Sequence, residues 1–270
     1  MKIKICDNLF AHAKYSTDYQ ISENITWDRS PFTNNDDLVI FTDNTLNQVN
    51  PNIKTKIAWL LESNEITKSS YDWMKYNNNK FDHVLTYYKE FLDRGENFLF
   101  NPIGGCWINS EDQQIYEKVK NISIISSNKK MTYGHHLRHQ IINQYRNNID
   151  VFGRGYNSID YKLTGLKDYR FSITIENTKT DYYFTEKLID CFATGTIPIY
   201  YGCPSIGDFF DEKGIIVINN INDLDKIMHT LNEEKYNNML PYVKNNFEKM
   251  KDYIISEDYM FKTLKNNKII

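Results

Sequence analysis

The stretch YRFSITIENTKTDYYFTEKLIDCFATGTIPIYYG, from Tyr169 to Gly202, holds a strand, a polar loop, a helix and a second strand in succession. Tyr169 to Asn177 carries β-branched residues in alternation and ends on Glu176-Asn177-Thr178. Thr185 stands as an N-cap ahead of Glu186-Lys187 and of an apolar stripe, Leu188, Ile189 and Phe192, that stops near Gly195. TIPIYYG resumes the β-forming pattern. A strand–helix–strand unit of this kind builds a parallel sheet.

The same alternation extends outward in both directions. Strands are expected at Lys2 to Cys6, Asp37 to Asp43, Lys56 to Glu62, His83 to Tyr87 and Asn97 to Gly105. Helices are expected from about Glu65 to Tyr76 and over YKEFLDRG, closed by Gly95. After a polar helical segment near Glu111 to Val119 the series begins again. Strands follow at Asn121 to Ser127, Ile149 to Gly153 and Gly214 to Asn219, with a helix over HHLRHQIINQY, His135 to Tyr145. From about Asp223 the chain reads as helical and lysine-rich. Two such series, split near residues 105 to 120, predict an α/β protein of two doubly wound domains. Ligands in open α/β sheets sit at the carboxyl ends of the strands.

The 270 residues are 41% hydrophobic and 25% charged, the balance of a globular protein. A net charge of −3 supplies no basic field for bulk nucleic-acid binding. The opening MKIKICDNLFAHAK is broken by Lys4, Asp7 and Asn8 and does not read as a secretory signal. No apolar run approaches the roughly 18 residues of a membrane span. Cys6, Cys106, Cys191 and Cys203 lack metal-ligand spacing and read as reduced, mostly buried and cytoplasmic.

Thr185-Glu186-Lys187 supports two readings. A helix N-terminus offers free N–H groups and partial positive charge, which suit a phosphate. Lys187 adds a full charge, Glu186 an acceptor for a ribose diol, and Tyr183 a ring and a hydroxyl. The same residues also make an ordinary capped helix with surface charges, and spacing alone does not separate the two.

The stretch resembles the donor-binding signature of the α-1,3/4-fucosyltransferases, glycosyltransferase family 10. That pattern is an aromatic, E-N-[ST], a short polar loop, Y-[VIF]-T-E-K, a helix and [IV]-P-[IV]-x-x-G-x-P. It stands here as Phe171, Glu176-Asn177-Thr178, Tyr183-Phe184-Thr185-Glu186-Lys187, Ile197-Pro198-Ile199, Gly202 and Pro204. The resemblance implies a GT-B-like fold, two Rossmann-like domains facing across a cleft. Residues 1–115 would bind acceptor and carry the base, 116–250 would bind the nucleotide sugar, and 251–270 would form a helical tail. It implies an inverting transfer of fucose from GDP-fucose to a glycan hydroxyl, with no metal or other cofactor. Asn177 would contact the donor, Tyr183 the nucleotide, Glu186 the ribose and Lys187 the diphosphate. Arg138, in GHHLRHQII, best matches the family's diphosphate-gripping arginine, with Arg146 nearby. Gly153, in Gly153-Arg154-Gly155, matches a loop beside the donor; a plain tight turn is the other reading.

Inversion needs a base on the face of the sugar opposite the leaving group, hence from the other domain. Glu62, just after an apolar strand in Glu62-Ser63-Asn64, resembles the family's base. Glu65 reads as a capping acid. The adjacent His135-His136 read as cap or surface residues and not as a metal pair. Asp223-Leu224-Asp225 has the letters of a metal-binding D-x-D, but it starts a helix and reads as dipole-complementing acids. Trp27, Trp59, Trp73 and Trp107 are core residues or sugar-stacking faces. The amphipathic tail (Tyr253, Ile254, Tyr259, Met260, Phe261) reads as a helix packed back on the first domain, with peripheral membrane contact as the alternative. Open alternatives are a different nucleotide sugar on the same fold, or an inactive nucleotide-binding homologue.

Overall fold

The computed structural model describes residues 1–11 and 13–270. The first half builds β1 (Lys2–Cys6), β2 (Thr26–Asp28), β3 (Leu38–Thr42), β4 (Thr55–Trp59), α1 (Lys68–Asn77), β5 (His83–Thr86), α2 (Lys89–Leu92) and β6 (Phe98–Phe100). The second builds β7 (Lys120–Ile125), α3 (Tyr133–Tyr145), β8 (Asp150–Phe152), β9 (Tyr169–Ile175), α4 (Glu186–Ala193), β10 (Ile197–Tyr201) and β11 (Ile216–Val217). Then follow α5 (Ile221–Ile227), α6 (Glu233–Lys249) and α7 (Ser256–Asn266).

The strands form two sheets, ordered β2-β1-β3-β4-β5-β6 and β11-β10-β9-β7-β8. All pairings are parallel. Both faces of a parallel sheet are covered, which is why β9 and β10 read as almost unbroken apolar runs. Ile197 and Ile199 of β10 face one core, shared with Leu137 and Ile141 of α3. Tyr200 faces the other, shared with Leu188 and Phe192 of α4. The opposite face of β9 carries Ser172 and Thr174, and Thr174 Oγ1 lies 3.2 Å from Cys191 Sγ on α4.

Three sequence expectations are corrected. Residues 111–119 are not helical: only a single turn of 3₁₀ helix, Ser110–Asp112, forms there. The chain is instead stretched along the second domain. Val119 N donates to Asp168 O at 3.0 Å. The buried Lys118 ammonium lies within 3.3 Å of Leu166 O, Lys167 O, Thr194 O and Thr196 Oγ1. These tertiary bonds outweigh helix propensity. Strand β2, three residues among polar neighbours, was not expected. Glu65 does not cap α1, whose N-cap is Thr67; its carboxylate accepts from Thr178 Oγ1 of the second domain at 2.6 Å.

The tail packs on the first domain. Ile255, Met260 and Leu264 are buried with Ile3, Ile5 and Trp59. Tyr259 stacks on Tyr253, centroids 5.8 Å apart. Glu257, fully buried, accepts from Ser16 N at 2.7 Å and Trp27 Nε1 at 3.1 Å. The apolar side chains that a membrane would need are thereby committed to the protein's own cores. No described helix is long and apolar enough to cross a membrane.

Candidate functional site

A cleft of about 760 Å³ lies between the two sheets, at the carboxyl ends of their central strands. The first sheet lends it Glu62, and the second lends Gly153, Arg138, Asn177, Glu186 and Lys187; Tyr183 also lines it.

The floor on the second side is built around β9. Its last residues meet the head of α3 so closely that a Cβ on Gly134 would lie 1.9 Å from Glu176 O. Only glycine permits that approach. Thr132 caps α3, and His135 Nδ1 returns the bond to Thr132 N at 3.3 Å. The capping reading of His135 therefore holds; burial and then the Arg138 charge bring its imidazole down to about 4. One turn on, Arg138 donates Nε and Nη2 to Ile175 O at 3.0 and 2.6 Å, and Nη2 to Asn177 Oδ1 at 2.8 Å. The guanidinium is buried and fixed in orientation, as a rigid anion clamp requires.

Glu176 is fully buried and accepts from Thr185 N at 2.9 Å and Thr185 Oγ1 at 2.7 Å. Burial pushes its carboxyl up, with Lys187 pulling the other way. These bonds fix the cap of α4, where Thr185 Oγ1 accepts from Lys187 N. Lys187 Nζ lies 3.5 Å from Glu176 Oε2 and 3.3 Å from Glu186 Oε1. Burial opposes ionisation of Glu186, yet Lys187 and Lys162 overrule it and hold the carboxyl far below the usual range.

Lys162 was not singled out in the sequence. It lies between β8 and β9, with Nζ 3.3 Å from Glu186 Oε1, 2.8 Å from Asp190 Oδ2 and 4.4 Å from the centre of the Trp107 ring. Asp190 Oδ1 in turn accepts from Trp107 N at 2.6 Å. Trp107 is thus the tryptophan that lines the cleft, whereas Trp27 and Trp59 are core. No spacing rule links residues 107, 162, 186 and 190; only the fold assembles them.

Tyr183 departs from the rim position its loop suggested. Its ring is buried in the core of the first domain, 4.9 Å from the Tyr87 ring. Gly153 adopts φ 109° and a Cβ there would meet Ser126 O at 2.0 Å, so the turn after β8 requires glycine. Glu62 is largely buried beside the cleft; burial raises its carboxyl, and Lys187 across the cleft opposes that rise. Its Oε1 accepts from Ser63 N at 2.7 Å.

Asp223 and Asp225 stay outside the cleft. Asp223 accepts from Asn219 N at 3.0 Å at the head of α5, and Asp225 is bonded to Tyr145 and Gln144. Among the described residues no group of three or more His, Cys, Asp or Glu is placed to hold a metal ion.

Two parallel α/β domains facing across a cleft define a GT-B glycosyltransferase fold. A crystallised alpha1,3-fucosyltransferase bound to GDP-fucose superimposes with a TM-score of 0.56, covering 93% of this chain and 88% of that one at 18% identity. Residues 115–265 match the family described as glycosyltransferase family 10 (fucosyltransferase), C-term. The chain belongs to that family. It is 31% identical to the alpha-(1,3)-fucosyltransferase FucT of Helicobacter pylori over 122 residues, 43% of this chain and 24% of that protein. It is 40% identical to GDP-fucose protein O-fucosyltransferase 3 of Danio rerio over 60 residues, 22% of this chain and 13% of that one. The chain therefore spans about a quarter or less of the length of these two relatives.

Proposed function

We propose that the chain transfers fucose from GDP-fucose to a glycan hydroxyl with inversion at the anomeric carbon. The observation that carries this is the meeting of Glu62, from the first sheet, with Arg138 and Lys187, from the second, on one cleft. The acceptor oxygen forms its bond to the anomeric carbon as the bond to the diphosphate oxygen breaks. The hydroxyl proton passes to Glu62, and GDP leaves with the electron pair. Burial raises Glu62 toward the working pH, which strengthens it as a base. Arg138, Lys187 and the N–H groups heading α4 take the diphosphate charge, with no need of a divalent ion. Glu186, held ionised, accepts the ribose hydroxyls.

The GDP-fucose donor is supported by the match to the crystallised complex and by the printed names of the relatives. The O-fucosyltransferase relatives favour a second acceptor, a protein hydroxyl. A screen of nucleotide sugars for hydrolysis, with thermal shifts against GDP and UDP, tests the donor. GDP-fucose turnover and a GDP-dependent rise in melting temperature are expected. A shift with UDP alone overturns the fucosyl reading, and GDP binding without turnover of donor on any acceptor favours an inactive homologue.

A further inference from the structure

We infer that Asp43 is a positioning residue for Glu62: its carboxylate holds the backbone of Leu61 and Glu62 so that the Glu62 side chain faces the cleft. The inference rests on the reading of Glu62 as the base. Asp43 follows directly on β3 and is buried, 2% exposed. Its Oδ2 accepts from Leu61 N at 2.8 Å and Glu62 N at 3.3 Å, and its Oδ1 accepts from Thr67 Oγ1 at 3.0 Å.

The need for such a group follows from where β4 stops. Leu60 N still bonds across to Leu85 O at 2.9 Å. Past that point Leu61 and Glu62 present N–H groups that would be costly to bury unpaired. Asp43 takes both. From the other side, the Tyr71 hydroxyl donates to Glu62 O at 2.8 Å. Thr67 caps α1 and Tyr71 lies on it, so strand end, helix and base form one braced unit.

A carboxylate here also carries charge. The titratable groups turned toward it are Glu62 past β4, Tyr71 of α1 and Tyr87 past β5. Asp7, past β1, reaches the same turn by accepting from Thr42 Oγ1 at 2.6 Å. Burial pushes the Asp43 carboxyl up to about 7, and Glu62 adds to the rise. By reciprocity an ionised Asp43 makes Glu62 the stronger base.

The test compares the full chain with Asp43→Asn, Glu62→Gln and the double variant, reading kcat, KM and GDP thermal shift from about pH 5 to 9. Asp43→Asn is expected to lower kcat about 10- to 100-fold while the GDP shift is unchanged. It should also move the acid limb of the rate profile to lower pH and cost nothing further on a Glu62→Gln background. A wild-type kcat with an unmoved acid limb overturns the inference, as does a loss that multiplies with that of Glu62→Gln. A wild-type rate for Glu62→Gln overturns the base assignment instead. If Asp43→Asn does not fold, Thr67→Val removes one donor and keeps the carboxylate; unchanged kcat in that variant then overturns the inference.

Discussion

Tyr183 belongs by sequence to the loop that leads into α4, yet its ring lies 4.9 Å from that of Tyr87, in the core of the opposite domain. The loop that carries the donor-binding residues is therefore anchored by an aromatic plug in the other half of the molecule. Tyr183→Ala is expected to cost about 3–5 kcal/mol of stability, the usual range for emptying a buried aromatic site. Tyr183→Phe keeps the plug and should melt within a few degrees of wild type. Denaturant unfolding of the two variants checks this.

Glu62→Gln should abolish transfer while leaving GDP binding intact, because Glu62 approaches from the side of the cleft opposite the diphosphate residues. The wild-type rate should fall on acidification through a pKa above the ordinary glutamate value of 4.5, since burial raises the group and the ionised form is the base. A pH–rate profile measures the limb directly.

Lys162→Met leaves Glu186 and Asp190 without the ammonium that lies 3.3 and 2.8 Å from them. Removing one partner from a buried charge network strands the others. The expected result is a rise of about tenfold or more in donor KM. Preference for GDP over its 2′-deoxy analogue should shrink in parallel, because the lysine holds the carboxylate proposed to read the ribose. Competition by the two nucleotides separates this from simple loss of stability.

How much of this was legible without coordinates depended on how local the signal was. β9, α4 and β10 were plain because each carries its own cap, stripe or run between Tyr169 and Tyr201. Glu62, Arg138, Asn177, Glu186 and Lys187 could be picked out because each stands beside such an element, and the structure brings all five to one cleft. Lys162 had no local mark, since its partners lie 24 and 28 residues away in the chain. Asp43 looked like any acid at a strand end; its value comes from Leu61 and Thr67, which only the sheet brings near. Residues 111–119 misled because their composition favours a helix while their bonding partners lie far off in sequence.

Stability should carry a pH signature of Asp43. Its folded carboxyl lies near 7 against 3.8 when unfolded, so the native state binds the extra proton between those values. The contribution is complete at low pH and is lost as pH rises through about 7. His135, brought down to about 4, acts with the opposite sign. The difference in melting temperature between wild type and Asp43→Asn isolates the first effect and should move against wild type as pH rises. A difference that does not vary with pH would refute it.

Gly153→Ala should disturb the turn after β8, where φ is 109° and Ser126 O would lie 2.0 Å from the new Cβ. Because Gly153 lines the cleft, donor KM is expected to rise along with a loss of stability of about 1–3 kcal/mol. Alanine at the exposed Gly95, where the added carbon meets nothing within 4 Å, provides the control for backbone strain alone.

The chain passes between the domains twice, once after β6 and once between α6 and α7. The two passages touch: Gly105 N donates to Tyr253 O at 2.8 Å, and a Cβ on Gly104 would meet that same oxygen at 2.7 Å. Two leaves joined at adjacent points behave like a door on a single pin. Swinging about that pin leaves the Gly105–Tyr253 contact whole, whereas sliding or twisting tears it. The cleft's freedom is thereby narrowed to one motion, opening and shutting, and the Thr178–Glu65 bond at its far lip is the contact such a swing must break first.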